Sequence, residues 1–282
     1  MTALRDLETP AVTVHLDVME DNIRRVQAHL DRHRIANRPH IKTHKIPDIG
    51  KMQMAAGAVG ITCQKLGEVE VFADAGVADD VLLTYNILGP AKTERLMALA
   101  RRVPRLAVVF DNEVVARELS DAAARHRADL EFLVECDTGF RRTGVQTPDE
   151  ALALARTAMA RPGLRFKGLM TFPNRDPDTR EFFERALALF KQAGIPVPVV
   201  SGGGTPALAT VDRFPMLTEH RAGTCVYNDA MVVSSGTATW DQCAMRVRAT
   251  VVSRPTDDRG VDRKSTRLNS SHIQKSRMPS SA

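Results

Sequence analysis

The chain has 282 residues, 43% hydrophobic and 26% charged, an ordinary globular composition with enough length to bury a large core. No apolar run reaches the roughly 18 residues that cross a bilayer, and residues 1–10 carry Arg5, Asp6 and Glu8 around no apolar centre, so neither a membrane span nor a secretory signal is expected. The net charge of +5 arises in residues 263–282, which hold Arg263, Lys264, Arg267, Lys275 and Arg277 and no acid; the rest balances at 34 basic against 34 acidic residues, which gives no support for a nucleic-acid partner.

Strand-like and helix-like patterns alternate along the chain. Residues 11–16 (AVTVHL) form the first apolar, β-branched run. Asp17 and Glu20 then have capping-box spacing, ahead of a helix with Ile23, Val26 and Leu30 on one face. Further strands are expected over residues 40–43, 59–64, 81–85, 106–110, 130–136, 166–171 and 197–201, and a last one within 217–227, each followed by a helical pattern. Asp111-Asn112-Glu113 and Thr147-Pro148-Asp149-Glu150 are strong helix starts. Leaving aside residues 11–16, this makes eight strand-helix units in about 200 residues, a pattern that predicts a (β/α)8 TIM-type barrel of parallel strands rather than an open sheet. No GxGxxG follows the first strand.

Residues 243–254 read as a further strand opening a second, β-rich unit. The expected organisation is a barrel over residues 8–235, an incomplete β domain over 236–262 and a Ser-rich basic tail over 263–282. That tail reads as disordered, or as foreign sequence similar to translated adapter read-through, which would put the natural chain's cut near Val261. Cys63, Cys136, Cys225 and Cys243 are scattered without CxxC spacing, which fits a reducing, cytoplasmic compartment better than disulfides or a zinc knuckle. Trp240 and the segment Met52-Gln53-Met54 read as packing.

In such barrels the chemistry sits at the C-terminal ends of the strands. The first ends in Arg38-Pro39-His40-Ile41-Lys42-Thr43-His44-Lys45. Strand alternation would put His40, Lys42 and His44 on one inward face. An inward lysine among cations has a lowered pKa. This matters because a free lysine is neutral to only about one part in two thousand at pH 7. The alternative is a surface basic loop.

The seventh strand ends in Ser201-Gly202-Gly203-Gly204-Thr205-Pro206, a glycine turn that leads into a helix start and suits a phosphate; a flexible connector is the alternative. After the fifth strand, Arg141 and Arg142 lie between Gly139 and Gly144, as a bound-anion contact or a surface pair. Tyr227 offers a hydroxyl to a phosphate or packs in the barrel. Gln64, Lys65, Tyr85 and Asn86 sit at predicted strand ends. A lysine and a phosphate cup across one barrel mouth fit a phosphorylated aldehyde, and pyridoxal 5′-phosphate is one.

Together the segments TPAVTVHLDVMEDNI, RPHIKTHK, TCQKLGE, DTGFRRTGV, SGGGTP and HRAGTCVYND resemble the fold-type III pyridoxal-phosphate enzymes, most closely the D-threonine aldolase and D-serine dehydratase family with an alanine-racemase-like barrel. The resemblance covers about residues 8–255. It implies that Lys42 holds the cofactor as a Schiff base and that Arg142 reaches its phenolic oxygen. It further implies that Ser201, Gly202, Gly203, Gly204 and Thr205 seat the phosphate with Tyr227 and Asn228, and that Gln64 lies against the cofactor.

Members of that family continue into a β domain whose histidine, followed two positions later by an acid or cysteine, binds a divalent metal, Mn or Zn. Here the only late histidine is His272 in the tail, so no metal ligand is assigned. Kin also place a tyrosine near the pyridine ring, where this chain has Thr171-Phe172-Pro173-Asn174. The activity implied is a metal-assisted lyase of β-hydroxy D-amino acids, an aldolase or a dehydratase, in a homodimer. Lys42, His40 or His44 would serve as base. A racemase and a non-catalytic cofactor carrier are the alternatives.

Overall fold

The computed structural model describes residues 4–77 and 79–262. After β1 (Ala11–Val14) and α1 (Leu16–Arg32), eight strands build one sheet: β2 (Ala36–Asn37), β3 (Ile61–Cys63), β4 (Asp80–Leu83), β5 (Arg105–Phe110), β6 (Leu130–Cys136), β7 (Leu164–Thr171), β8 (Val199–Gly202) and β9 (Glu219–His220). Every pair in the order β2-β9-β8-β7-β6-β5-β4-β3 is parallel. The two ends of that order meet just past β2. There His40 bridges Thr62, the Thr62 N–H donates to the Pro39 carbonyl at 2.8 Å, and the Thr62 hydroxyl donates to the Arg38 carbonyl at 3.0 Å. The sheet therefore closes, as the eight strand-helix units predict, and the closing seam lies two residues before Lys42.

Six helices connect these strands: α2 (Pro47–Ala55), α3 (Leu66–Asp74), α4 (Pro90–Ala100), α5 (Glu113–His126), α6 (Pro148–Met159) and α7 (Asp178–Gln192). The predicted starts hold where cap chemistry is explicit. Asn112 accepts the Val115 N–H, and Thr147 and Glu150 form a full capping box. Between β8 and β9 the connection is a 3-10 segment, Thr205–Arg213.

Period-two alternation sorts the core. Val81, Leu83, Val108, Phe110, Phe132, Val134 and Leu169 face the helices; their neighbours Leu82, Ala107, Val109, Leu133 and Met170 form a separate cluster on the opposite, inner face. Beside that cluster the interior is polar. Buried Arg38 donates to Glu219 and Asp80, both at 2.7 Å. The Ser201 hydroxyl donates to Glu219 at 2.6 Å, and Arg221 donates to Ser201 at 2.5 Å and to the Thr171 carbonyl at 2.7 Å.

The structure departs from the sequence expectations at several points. β1, left aside in counting the eight units, does lie outside the barrel, and its antiparallel partner is β10 (Met245–Arg248), Ala11 opposite Arg248, a pairing not expected from sequence. The chain passes from β1 into α1 with His15 as N-cap, so Asp17 falls inside the helix and no capping box forms. Residues 41–43 are a 3-10 turn instead of a strand, and β9 is only two residues long. The expected strand over 243–254 breaks into β10 and β11 (Val251–Thr256), which pairs with β12 (Arg259–Asp262). These antiparallel strands begin a second unit beyond the barrel and the short helix α8 (Ala230–Ser234). Trp240, expected to pack, is 60% exposed. The expectation for residues 263–282 lies outside the described residues. All four cysteines are buried free thiols, and no described helix is long and apolar enough to cross a membrane.

Candidate functional site

Lys42 occupies the middle of the 3-10 turn Ile41–Thr43. Three contacts fix this turn. The His40 N–H donates to the Ala222 carbonyl at 2.9 Å, the Lys42 N–H donates to His40 Nδ1 at 3.5 Å, and Ile41 is fully buried beneath. Gly223 closes on the same turn so tightly that a Cβ there would meet the His40 carbonyl. The Lys42 side chain keeps accessible surface, and its ammonium lies 5.7 Å from the centre of the Phe172 ring. Loss of hydration lowers its pKa below the ordinary lysine value; the guanidinium groups of Arg142 and Arg221 lower it further, against an opposing pull from Glu68. The neutral amine is the nucleophilic form.

Lys42 is thus set by a turn and not by strand alternation, which separates the two histidines expected beside it. His40 lies buried at the barrel seam, and its pKa is driven well below the usual range by burial and then by Lys42 and Arg221, so it is a neutral ring. His44 packs toward α2 and α3: Nδ1 accepts the Ile46 N–H at 3.1 Å, Nε2 lies 3.3 Å from Gln53 Oε1, and the ring is 6.1 Å from that of Phe72. Burial pushes its pKa down to about 4. With both nitrogens engaged in that packing, His44 has no free lone pair for a base.

Arg142 comes from the loop after β6. Asp137 gathers this loop by accepting the N–H groups of Gly139, Phe140 and Arg141 on one oxygen and that of Arg142 on the other, at 2.8–3.2 Å. Burial opposes ionisation of Asp137, but these donors outweigh it and lower its pKa. The guanidinium of Arg142 lies 5.1 Å from the Phe172 ring centre. Beneath it Glu135 accepts the Thr143 hydroxyl at 2.7 Å, and burial raises its pKa.

The glycine turn closes the opposite side. Gly203 has φ +84°, which favours glycine, and its Cα is covered by the His220 ring. Asn174 and Leu217 cover Gly202, and the edge of Phe172 covers Gly204. Phe172 therefore touches the glycine turn with its edge while Lys42 and Arg142 approach its ring, which puts the three predicted features around one small space.

Other predicted contacts lie behind this space. Ser201 is fully buried between Glu219 and Arg221, so its hydroxyl serves the barrel interior and not a ligand at the mouth. The Thr205 hydroxyl accepts the Cys225 N–H at 3.0 Å. Asn228, at φ +51°, donates its amide to the Gln242 carbonyl at 3.0 Å. Tyr227 packs with Met19, Ile23 and Ile49, and burial raises its pKa. Gln64 stays at the mouth, donating to the Thr84 carbonyl at 3.2 Å, and borders a cleft of about 590 Å³ whose wall includes Lys45, Lys65, Glu68 and Lys92.

Phe172, Asn174 and His220 were not singled out by sequence as site residues. In the sequence Phe172 and Asn174 stand only in the segment that lacks a phenol, and His220 only at the head of HRAGTCVYND, since its role arises from packing on Gly203. Around the glycine turn two buried polar atoms lack a partner among the described residues, Asn174 Nδ2 and His220 Nδ1. An unmet donor beside a glycine turn, a lysine of lowered pKa and an arginine across from it fit an aldehyde that carries a phenolic oxygen and a phosphate. No group of three or more His, Cys, Asp or Glu able to hold a metal ion occurs among the described residues.

Comparison with known proteins agrees. The family model for the alanine racemase N-terminal domain matches residues 14–230. A D-threonine aldolase from an Arthrobacter species is 35% identical over 276 residues, 92% of this chain and 72% of that protein. The 3-hydroxy-D-aspartate aldolase of Paracoccus denitrificans (strain Pd 1222) is 33% identical over 239 residues, 80% of this chain and 62% of the relative. Among solved structures, D-threo-3-hydroxyaspartate dehydratase from Delftia sp. superposes with a TM-score of 0.83 at 31% identity, covering 92% of this chain and 71% of that one.

Proposed function

Since this chain belongs to the alanine racemase N-terminal domain family, we propose that it is a lyase of β-hydroxy D-amino acids that works with pyridoxal 5′-phosphate. The observation that carries the proposal is the convergence of Lys42 and Arg142 on Phe172, whose edge closes the Gly202–Gly204 turn. Its relatives include aldolases and dehydratases of hydroxylated D-amino acids.

Each residue has a task in this proposal. Lys42 would present its amine to the aldehyde carbon, its pKa lowered by partial loss of hydration and by two guanidinium groups, which favours the nucleophilic form. Arg142 faces the phenolic oxygen, and the backbone of the glycine turn receives the phosphate. When bound, the cofactor draws electrons from the substrate Cα. Lys42 would also serve as the base, taking a proton from Cα in a dehydratase or from the β-hydroxyl in an aldolase. His40, neutral and buried, supports the lysine turn from below. A divalent ion, Mn or Zn, at the substrate hydroxyl is also part of the proposal, with ligands outside the described residues. A small D-amino acid as substrate, a homodimer and a cytoplasmic location complete it.

The test is product analysis with cofactor, Mn²⁺ or Zn²⁺, and D-threonine or D-3-hydroxyaspartate. Aldehyde plus glycine supports the aldolase, and oxo acid plus ammonia the dehydratase. The mirror-image amino acid would overturn the proposal in favour of a racemase, and cofactor loading without turnover, even with the metal-binding β domain of the family and metal supplied, in favour of a carrier.

A further inference from the structure

We infer that Asn174 is an additional anion ligand of this site, donating from Nδ2 to the phosphate received by the Gly202–Gly204 turn; the inference rests on the cofactor proposed above. The orientation of its amide is fixed. Oδ1 accepts the Gly203 N–H at 2.7 Å, so the other terminus must be the NH2 group. That nitrogen is buried and has no acceptor among the described residues. Buried donors are nearly always paired, so this one calls for an acceptor from outside the chain, a ligand oxygen or a water.

The local packing agrees. The Asn174 amide lies over Gly202, where a Cβ would come within 2.6 Å of Oδ1 and 3.3 Å of Nδ2. Glycine at 202 is therefore what lets this amide rest against the turn. On the other side, His220 holds the Gly204 carbonyl through Nε2 at 3.1 Å. Burial keeps its pKa down to about 4, so it positions the turn as a neutral ring and adds no charge. Asn174 thus does two things: Oδ1 aligns Gly203, and Nδ2 presents a donor beside it.

Spectroscopic titration of the full chain with pyridoxal 5′-phosphate and with pyridoxal, which lacks the phosphate, separates these roles. N174D keeps an oxygen for the Gly203 N–H but replaces the donor with negative charge; N174A removes both. The expected result is a preference for the phosphorylated ligand that falls about tenfold in N174A, the scale of one charge-assisted hydrogen bond, and further in N174D. Pyridoxal affinity should stay within about twofold in both, since no new contact to its ring is involved. An unchanged preference in both variants, or equal loss of both ligands in folded protein, would overturn the inference. Failure of the unsubstituted chain to bind either ligand would instead overturn the cofactor proposal, and the inference with it.

Discussion

The lysine arc and the glycine arc of the barrel mouth solve different problems with similar residues. On the lysine arc a turn of three residues lifts Lys42 off the seam, and its side chain is held by no acceptor within hydrogen-bond distance among the described residues. On the glycine arc nearly every polar side chain is engaged within the protein: Ser201 by Glu219 and Arg221, Thr205 by Cys225, His220 by Gly204. The lysine arc thus offers a side chain to a ligand, while the glycine arc offers backbone and one unmet amide. A polar residue at a strand end is therefore a ligand contact only when its own barrel leaves it free.

The largest effect expected from this contrast is on the lysine arc. Lys42→Ala should abolish covalent loading of the cofactor, read as loss of the visible absorbance that the wild type gains on titration, because Lys42 is the one lysine among the described residues that lies over the Phe172 ring. Retained absorbance would mean that the arcs have been assigned the wrong way round.

On the glycine arc the first consequence should be for folding. Glu219→Ala removes one of the two carboxylates that hold buried Arg38 and the acceptor of the Ser201 hydroxyl, to which buried Arg221 donates, and breaking such a buried network costs about 3–5 kcal/mol, measurable by denaturant unfolding. Ser201→Ala sharpens the comparison. It should lower stability by about 1–2 kcal/mol while changing affinity for the phosphorylated cofactor by less than about twofold. A tenfold loss of affinity with stability unchanged would restore Ser201 as a phosphate ligand.

The smallest effect is a shift in pH. Burial is the main cause of the lowered Lys42 pKa, and Arg142 is the next. Arg142→Met removes one cation, so the pKa should rise and the pH at which loading is half complete should move upward. Movement downward, or none, would contradict the electrostatic part of the account.

Much of the barrel was legible in the sequence because its signals are local. Residues 130–136 are almost all apolar and are β6 itself, and Thr147 to Glu150 cap α6 as their chemistry dictates. Lys42, Arg142 and the glycine turn could be found because their residue types are unusual at strand ends. What the sequence hid depends on distant partners. Residues 11–16 stand apart from the eight units in the sequence, but their partner β10 shows only in the fold. The lysine segment has strand-like alternation, but His40 must pair with both Ala222 and Thr62 to close the seam, and the chain then turns. Ser201 could not be separated from the glycines until Glu219 and Arg221, from the next strand and the residue after it, took its hydroxyl. Phe172 appeared only as the lack of a phenol, although it is the one ring that Lys42, Arg142 and Gly204 all approach.

The central claim is most directly tested by loading the protein with pyridoxal 5′-phosphate, reducing with borohydride and mapping the labelled peptide by mass spectrometry. The account predicts a single reduced adduct on Lys42. Label on Lys45 or Lys65 in its place, or stoichiometric binding that borohydride cannot fix, would contradict it.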